Sequence, residues 1–397
     1  MRMLLEPQKD EHTDNFSVRS CKIKRLNDDG TSAETKIWFQ LDKSIPLPHE
    51  EDCDAYLLAM VMEAMKENRK IEVKGSVSKQ LLSNLVELQA AWNKWKPNIY
   101  NCIDIGVDKE NYSTDKAQGA ICAFSGGVDA TFSVWMHSQS KNSHRSQSIN
   151  LCSIVHGFDI PLSDTDAFEN AKNRAQDTLS DVGINLIPIK TNYRQIAKAN
   201  WEDVFSTALV ATLSNFKNVA GTCIVGSSEP YDSLVIPWGS SPITDHLLSS
   251  GEFVVMHDGA SHSRTEKVKE ISEWKMGVGN LRVCWQGDLK DRNCGVCEKC
   301  VRTKLNFLAV GSLIPSCFPT TDILDDLDKV KLRNDAIRAE WRQIYEYAER
   351  KKEKGPWLKK VKKVIDKRVY SVIDIVLPRG SSRREMAKNL TKKLSRR

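Results

Sequence analysis

The chain has 397 residues, of which 40% are hydrophobic and 28% charged. That is ordinary globular composition for two or three compact units, and it excludes a disordered or fibrous protein. The net charge of +6 is uneven: residues 351–397 carry seventeen Lys and Arg against four acids, or +13, which leaves −7 for residues 1–350.

The opening MRMLLEPQKDEH has an apolar stretch too short for a signal peptide and turns acidic at once. No run of about 18 apolar residues follows it. A cytoplasmic protein is therefore expected. Next come two strands, FSVRSCKIKRL and TKIWFQLD, flanking a DDG turn signal. Residues 52–67 and the stretch VSKQLLSNLVELQAAWNKW show helical spacing of apolar positions, with the short strand KIEVKG between them. Residues 1–115 thus read as an α/β accessory domain without a chemical motif.

From Ala120 strands alternate with helices. AICAF, LCSIVHGF, INLIPIKT and GTCIVGSS read as strands. Helices are expected after AICAF through Trp135, over Thr165–Val182, and over WEDVFSTALVATLSNF. Such alternation predicts an α/β fold with a doubly wound parallel sheet over residues 116–320, with ligand at the carboxyl ends of the strands. Residues 321–397 read as a helical basic region, broken at Gly355-Pro356 and again at Pro378 and Gly380. From Trp357 apolar residues recur with helical period beside Lys359, Lys360, Lys362, Lys363 and Lys367. A basic amphipathic helix suits an anionic surface, namely a membrane, a nucleic acid or an acidic partner. The plain alternative is a helix packed on its own domain with solvated lysines.

The loop Phe124-Ser125-Gly126-Gly127-Val128-Asp129 lies between the AICAF strand and the following helix. Paired glycines let the backbone approach a phosphate, and the amides at the helix N-terminus face an anion. Ser125 can donate to a phosphate oxygen, and Asp129 can help hold magnesium. A plain strand-to-helix turn uses the same residues. Without a Gly-Lys-Ser/Thr ending, it is not the P-loop of nucleoside triphosphatases.

Eleven cysteines are present. Seven stand singly, whereas Cys284, Cys294, Cys297 and Cys300 lie within seventeen residues. Two Cys-x-x-Cys steps sharing Cys297, with a fourth thiol upstream, make a closed tetrahedral zinc set. An iron–sulfur cluster is the alternative. His246, His257, Asp258 and His262 fit no compact ligand spacing.

FSGGVD resembles the Ser-Gly-Gly-x-Asp-Ser/Thr signature of the PP-loop ATP pyrophosphatases. Ala130 stands where that family has Ser or Thr, and Thr131 is the candidate replacement. Together with LRVCWQGDLKDRNCGVCEKCVRTKLNFLAVG, the loop is similar to 7-cyano-7-deazaguanine synthase over roughly residues 120–316. The resemblance implies catalytic roles for Ser125, Asp129 and Lys267, and ATP and Mg2+ held around Phe124–Asp129 and Thr131. His156 ends the second strand, where adenine or ribose would lie in a doubly wound sheet, with a structural histidine as the plain alternative. Asp245 and Arg302 are matched as substrate-binding residues, to which the strand end adds Ser227 and Glu229; the four cysteines would hold Zn2+. It further implies adenylation of a carboxylate or amide of a small-molecule substrate, then amine transfer or nitrile formation, with release of AMP and pyrophosphate.

A specialised bacterial role such as anti-phage defence, a protein or nucleic-acid acceptor, and a homodimer complete these expectations. Two rivals stay open: a tRNA-modifying PP-loop enzyme (a thiolation enzyme or lysidine-type ligase), and a non-catalytic nucleotide-binding scaffold.

Overall fold

The structure is a computed structural model that describes residues 1–284, 287–333 and 335–366. The N-terminal part is built from β1 (Arg2–His12), β2 (Phe16–Leu26), β3 (Ser32–Asp42), α1 (Asp54–Glu67), β4 (Lys70–Ser78), α2 (Lys79–Trp95) and β5 (Ile105–Asn111). β1, β2 and β3 form an antiparallel meander, while β4 pairs parallel with β1 and β5. Period-two burial gives the meander one apolar face, with Met3 and Leu5, Cys21 and Ile23, and Ile37, Phe39 and Leu41 buried. Helix α1 is buried nearly all round, as a helix enclosed on more than one side must be.

The central part holds β6 (Ala120–Ala123), α3 (Val128–Ser138), β7 (Ile149–Ser153), β8 (Val155–His156), α4 (Thr165–Ser180), β9 (Asn185–Leu186) and β10 (Ile189–Thr191). It continues through α5 (Tyr193–Ile196), α6 (Trp201–Leu213), β11 (Thr222–Gly226), β12 (Val254–Asp258), α7 (Arg264–Ile271), α8 (Lys275–Gly279) and α9 (Glu298–Ala309). Five strands make a parallel sheet in the order β12-β11-β6-β7-β9. In chain order that is 5-4-1-2-3, so the winding reverses between β6 and β11, where open α/β sheets form their ligand crevice. The chain is thus mixed α/β with a parallel sheet and helices, as expected.

Two expected strands are each divided between sheets. LCSIVHGF gives β7 to the parallel sheet and β8 to the other; INLIPIKT gives β9 and β10 in the same way. Pro188 lacks an amide hydrogen, so the ladder steps over it through Ile187 N to Cys152 O (2.9 Å) and Ile189 N to Ile154 O (3.0 Å). β10 then pairs antiparallel with β3. Asn192 prolongs that seam, accepting from Trp38 N (3.0 Å) and donating to Lys36 O (2.7 Å). The N-terminal and central parts consequently share one apolar core, which includes α1, α2 and α6.

Helices α10 (Ile323–Lys329), α11 (Asp335–Arg350) and α12 (Trp357–Asp366) close the described chain. Trp357, Val361 and Ile365 of α12 pack with Trp341 and Ile344 of α11 and Val301 and Leu305 of α9. The basic helix therefore packs on its own protein over this span, with Lys359, Lys362 and Lys363 exposed. Its expected continuation through Lys367 and beyond, and the break at Pro378 and Gly380, lie outside the described residues. Among the described residues no helix is long and apolar enough to cross a membrane.

Candidate functional site

At the winding reversal, the buried strand β6 delivers the chain into the Ser125-Gly126-Gly127 loop and α3. Gly126 has φ +77°, a left-handed conformation that glycine adopts without strain. Its carbonyl accepts from Arg282 N (2.8 Å), and Arg282 Nε donates to Ser125 O (3.2 Å), so a distant segment fixes the loop. Ser125 is exposed, while Phe124 is buried beneath it. Gly226 permits close approach of β11 to α3, since a Cβ there would stand 3.1 Å from the Asp129 carbonyl.

Over the loop lies a cleft with two adjoining lobes. One, of about 180 Å³, is lined by Ser125, Gly127, Asp129, Ala130, Arg264 and Gly226 among others. The second, of about 290 Å³, is mainly apolar, with Ile154, Phe158, Ile160, Trp201 and Phe205 in its wall. Asp159, Arg282 and Lys299 line both. Together they reach the size range of small-molecule sites.

Charge is organised in a chain running away from the loop. Asp129 accepts from Arg264 Nη2 (2.9 Å) and Lys267 Nζ (3.2 Å), one cation on each oxygen. Lys267 also donates to the Ser227 carbonyl. Arg264 Nε reaches Glu340 of α11 (3.1 Å), which also pairs with Arg302, and Arg302 Nε pairs with Glu298 (3.0 Å). Burial pushes the Asp129 carboxyl up, but Arg264 and Lys267 outweigh it and hold it below the usual range. Burial lowers the Lys267 ammonium against the pull of Asp129. It also brings the Arg302 guanidinium down to about 10.

The four cysteine sulfurs all lie within 4.8 Å of one another. Cys284 and Cys297 stand 3.7 Å apart, and Cys294 and Cys300 3.9 Å. Metal–sulfur bonds of about 2.3 Å in a tetrahedron put sulfurs roughly 3.8 Å apart, so the set is compatible with one metal ion such as zinc. A disulfide needs about 2.05 Å. A multinuclear cluster would hold its sulfurs farther apart than this. Cys284 also lines the smaller lobe, so the metal set adjoins the cleft.

The expected residues separate into two groups. Ser125, Gly127, Val128 and Asp129 line the cleft, Phe124 lines its second lobe, Gly126 shapes the loop, and Lys267 reaches the site through Asp129. Thr131 is buried with its hydroxyl unpartnered, and Ala130 faces the cleft instead. One helical residue turns a side chain by about 100°, so Thr131 does not replace the missing hydroxyl. His156 lies in β8, stacked on Phe168 at 4.1 Å with Nε2 on Pro161 O (2.9 Å), away from the cleft lining.

The remaining expected contacts sit inside the protein. Asp245 is fully buried and accepts from Ser206, Ser240, Ser241 N and His257. Ser227 donates to the Glu229 carbonyl and Glu229 accepts from Val235 N (2.8 Å). Arg302 is held by its two glutamates. None of these four lines either lobe.

Magnesium at Asp129 does not fit this arrangement, because both carboxylate oxygens already face cations. Sequence reasoning missed Arg264, Arg282, Lys299, Asp159 and the aromatic wall. Two had a local signal: Arg264 precedes Lys267 by one helical turn, and Lys299 sits between two metal-set cysteines. No protein-family model, curated protein or solved structure matches this chain.

Proposed function

We propose that the protein is an ATP-dependent activating enzyme of the PP-loop type, similar to 7-cyano-7-deazaguanine synthase, with zinc on Cys284, Cys294, Cys297 and Cys300. The observation that carries this reading is the Ser125-Gly126-Gly127 loop at the winding reversal, faced by Arg264, Arg282 and Lys299. Loop amides and the α3 N-terminus suit a pyrophosphate, and a planar base suits the apolar lobe between Phe158, Trp201 and Phe205. The substrate carboxylate oxygen attacks the α-phosphorus, the bond to the β-phosphate breaks, and an amine then displaces AMP. Fixed cations in the cleft stabilise the charge that develops on phosphate. Zinc, bound by four protein ligands, has no open position and would be structural. Four reduced thiols suit a cytoplasmic protein.

ATP–pyrophosphate exchange in the presence of deazapurine carboxylic acids tests the reading. Exchange dependent on one such acid supports it. A second reading, a non-catalytic nucleotide-binding scaffold, rests on Ala130 facing the cleft without a hydroxyl. It predicts ATP binding with no exchange for any acid, whereas absence of ATP binding contradicts both.

A further inference from the structure

Of the four cations around the loop, three already have partners. Arg264 and Lys267 hold Asp129. Arg282 donates to Ser125 O and to Lys290 O, each at 3.2 Å. Lys299 differs: among the described residues its ammonium makes no hydrogen bond and no ion pair, although the side chain is half-buried and lines both lobes of the cleft. An ammonium withdrawn from water without a partner is unfavourable, and an anion seated beside it would relieve that cost.

The placement of Lys299 follows from the metal set. Cys297 caps α9, Glu298 begins it, and Cys300 lies on its first turn. Lys299 is thus gripped between two metal-set cysteines, and the knuckle that fixes those sulfurs also fixes the lysine backbone at the junction of the lobes. A nucleotide with its base in the apolar lobe and its pyrophosphate on the Ser125-Gly126-Gly127 loop would put its α-phosphate at that junction. We infer that Lys299 is the group that binds this α-phosphate, so that the cysteine knuckle serves to position a catalytic cation. The inference rests on the nucleotide reading of the cleft. Lys299 donates hydrogen bonds to a non-bridging α-phosphate oxygen; the entering oxygen bonds to phosphorus as the bond to pyrophosphate breaks, and no proton leaves the lysine.

The test uses the full chain with AMP and adenosine as calorimetric probes, so it does not depend on knowing the acceptor. Wild-type protein should bind AMP more tightly than adenosine. Lys299→Met should lose about tenfold or more in AMP affinity, the size of one charge-assisted phosphate contact, while its adenosine affinity stays within about twofold. Lys299→Arg should recover part of the loss. Metal content and melting temperature of Lys299→Met should match wild type, so that the loss of AMP affinity reports the missing ammonium and not a disturbed fold. Unchanged AMP affinity in Lys299→Met would overturn the inference while leaving the nucleotide site intact. If wild-type protein bound neither probe, the nucleotide reading would fall and this inference with it.

Discussion

Replacing Asp129 by Asn removes the negative charge between Arg264 and Lys267 while keeping the shape of the side chain. Lys267 has a side-chain exposure of only 1%, and in the Asp129→Asn variant it is left with neutral acceptors, the Ser227 carbonyl and the amide oxygen, and no counter-charge in contact. Stripping one member from a buried ion pair costs about 3–5 kcal/mol. The Asp129 side chain retains 21% exposure, so water recovers part of that and about 2–4 kcal/mol is expected. Adding Lys267→Met removes the stranded charge, so the double variant should lose less than the two singles together, with a coupling of about 1–3 kcal/mol. Urea unfolding followed by tryptophan fluorescence measures all four corners of the cycle.

The pH dependence has a definite sign. The Asp129 carboxyl is held below its usual range, so its contribution is fully present above about pH 4–5 and is lost as pH falls through the depressed native value. The gap between wild type and Asp129→Asn should therefore close on acidification. If Asp129 served only as a magnesium ligand, Asp129→Asn would unfold within about 0.5 kcal/mol of wild type. That result, or strict additivity in the cycle, would refute the reasoning.

Elemental analysis should give one zinc per chain, and Cys297→Ser should yield metal-poor, poorly folding protein because metal and fold are coupled; iron, or a well-folded metal-free protein, would contradict this. Glu340→Gln leaves Arg302 with Glu298 alone and Arg264 with Asp129 alone. It should destabilise by about 2–4 kcal/mol and weaken AMP binding, tying α11 to the cleft; wild-type stability would argue against the charge chain. Trp357 is 5% exposed against α11 and α9, so Trp357→Ala should cost about 3–5 kcal/mol in urea unfolding. A negligible loss would mean that the basic region is a solvated appendage.

Local signals in the sequence were strong where chemistry is local. Two strand-like runs around the DDG turn announced β2 and β3, helical spacing announced α1 and α2, and strand–helix alternation announced α4, each to within a few residues. The Ser125-Gly126-Gly127 turn from strand to helix and the cysteine set were legible because each sits in one short segment. β1 was missed because its second half, PQKDEH, turns polar, and β12 was missed as well, its five residues ending in the polar pair His257-Asp258. Periodicity does not say which sheet a strand joins, so the division at Pro188 stayed hidden. Arg264, Arg282, Lys299 and Glu340 come from segments more than 130 residues from the loop and meet it only in the folded chain. The family matches at Asp245 and Arg302 marked conspicuous polar residues, but burial turned both inward to partners of their own.

Phosphorus NMR of the nucleotide products tests the central claim most directly, using the full chain, ATP, an amine source and a panel of deazapurine carboxylic acids. Cleavage at the α-phosphorus predicts AMP and pyrophosphate in equal amounts, lost when Lys299 is replaced by Met. ADP and inorganic phosphate as the main products would contradict it, because they require attack at the terminal phosphate.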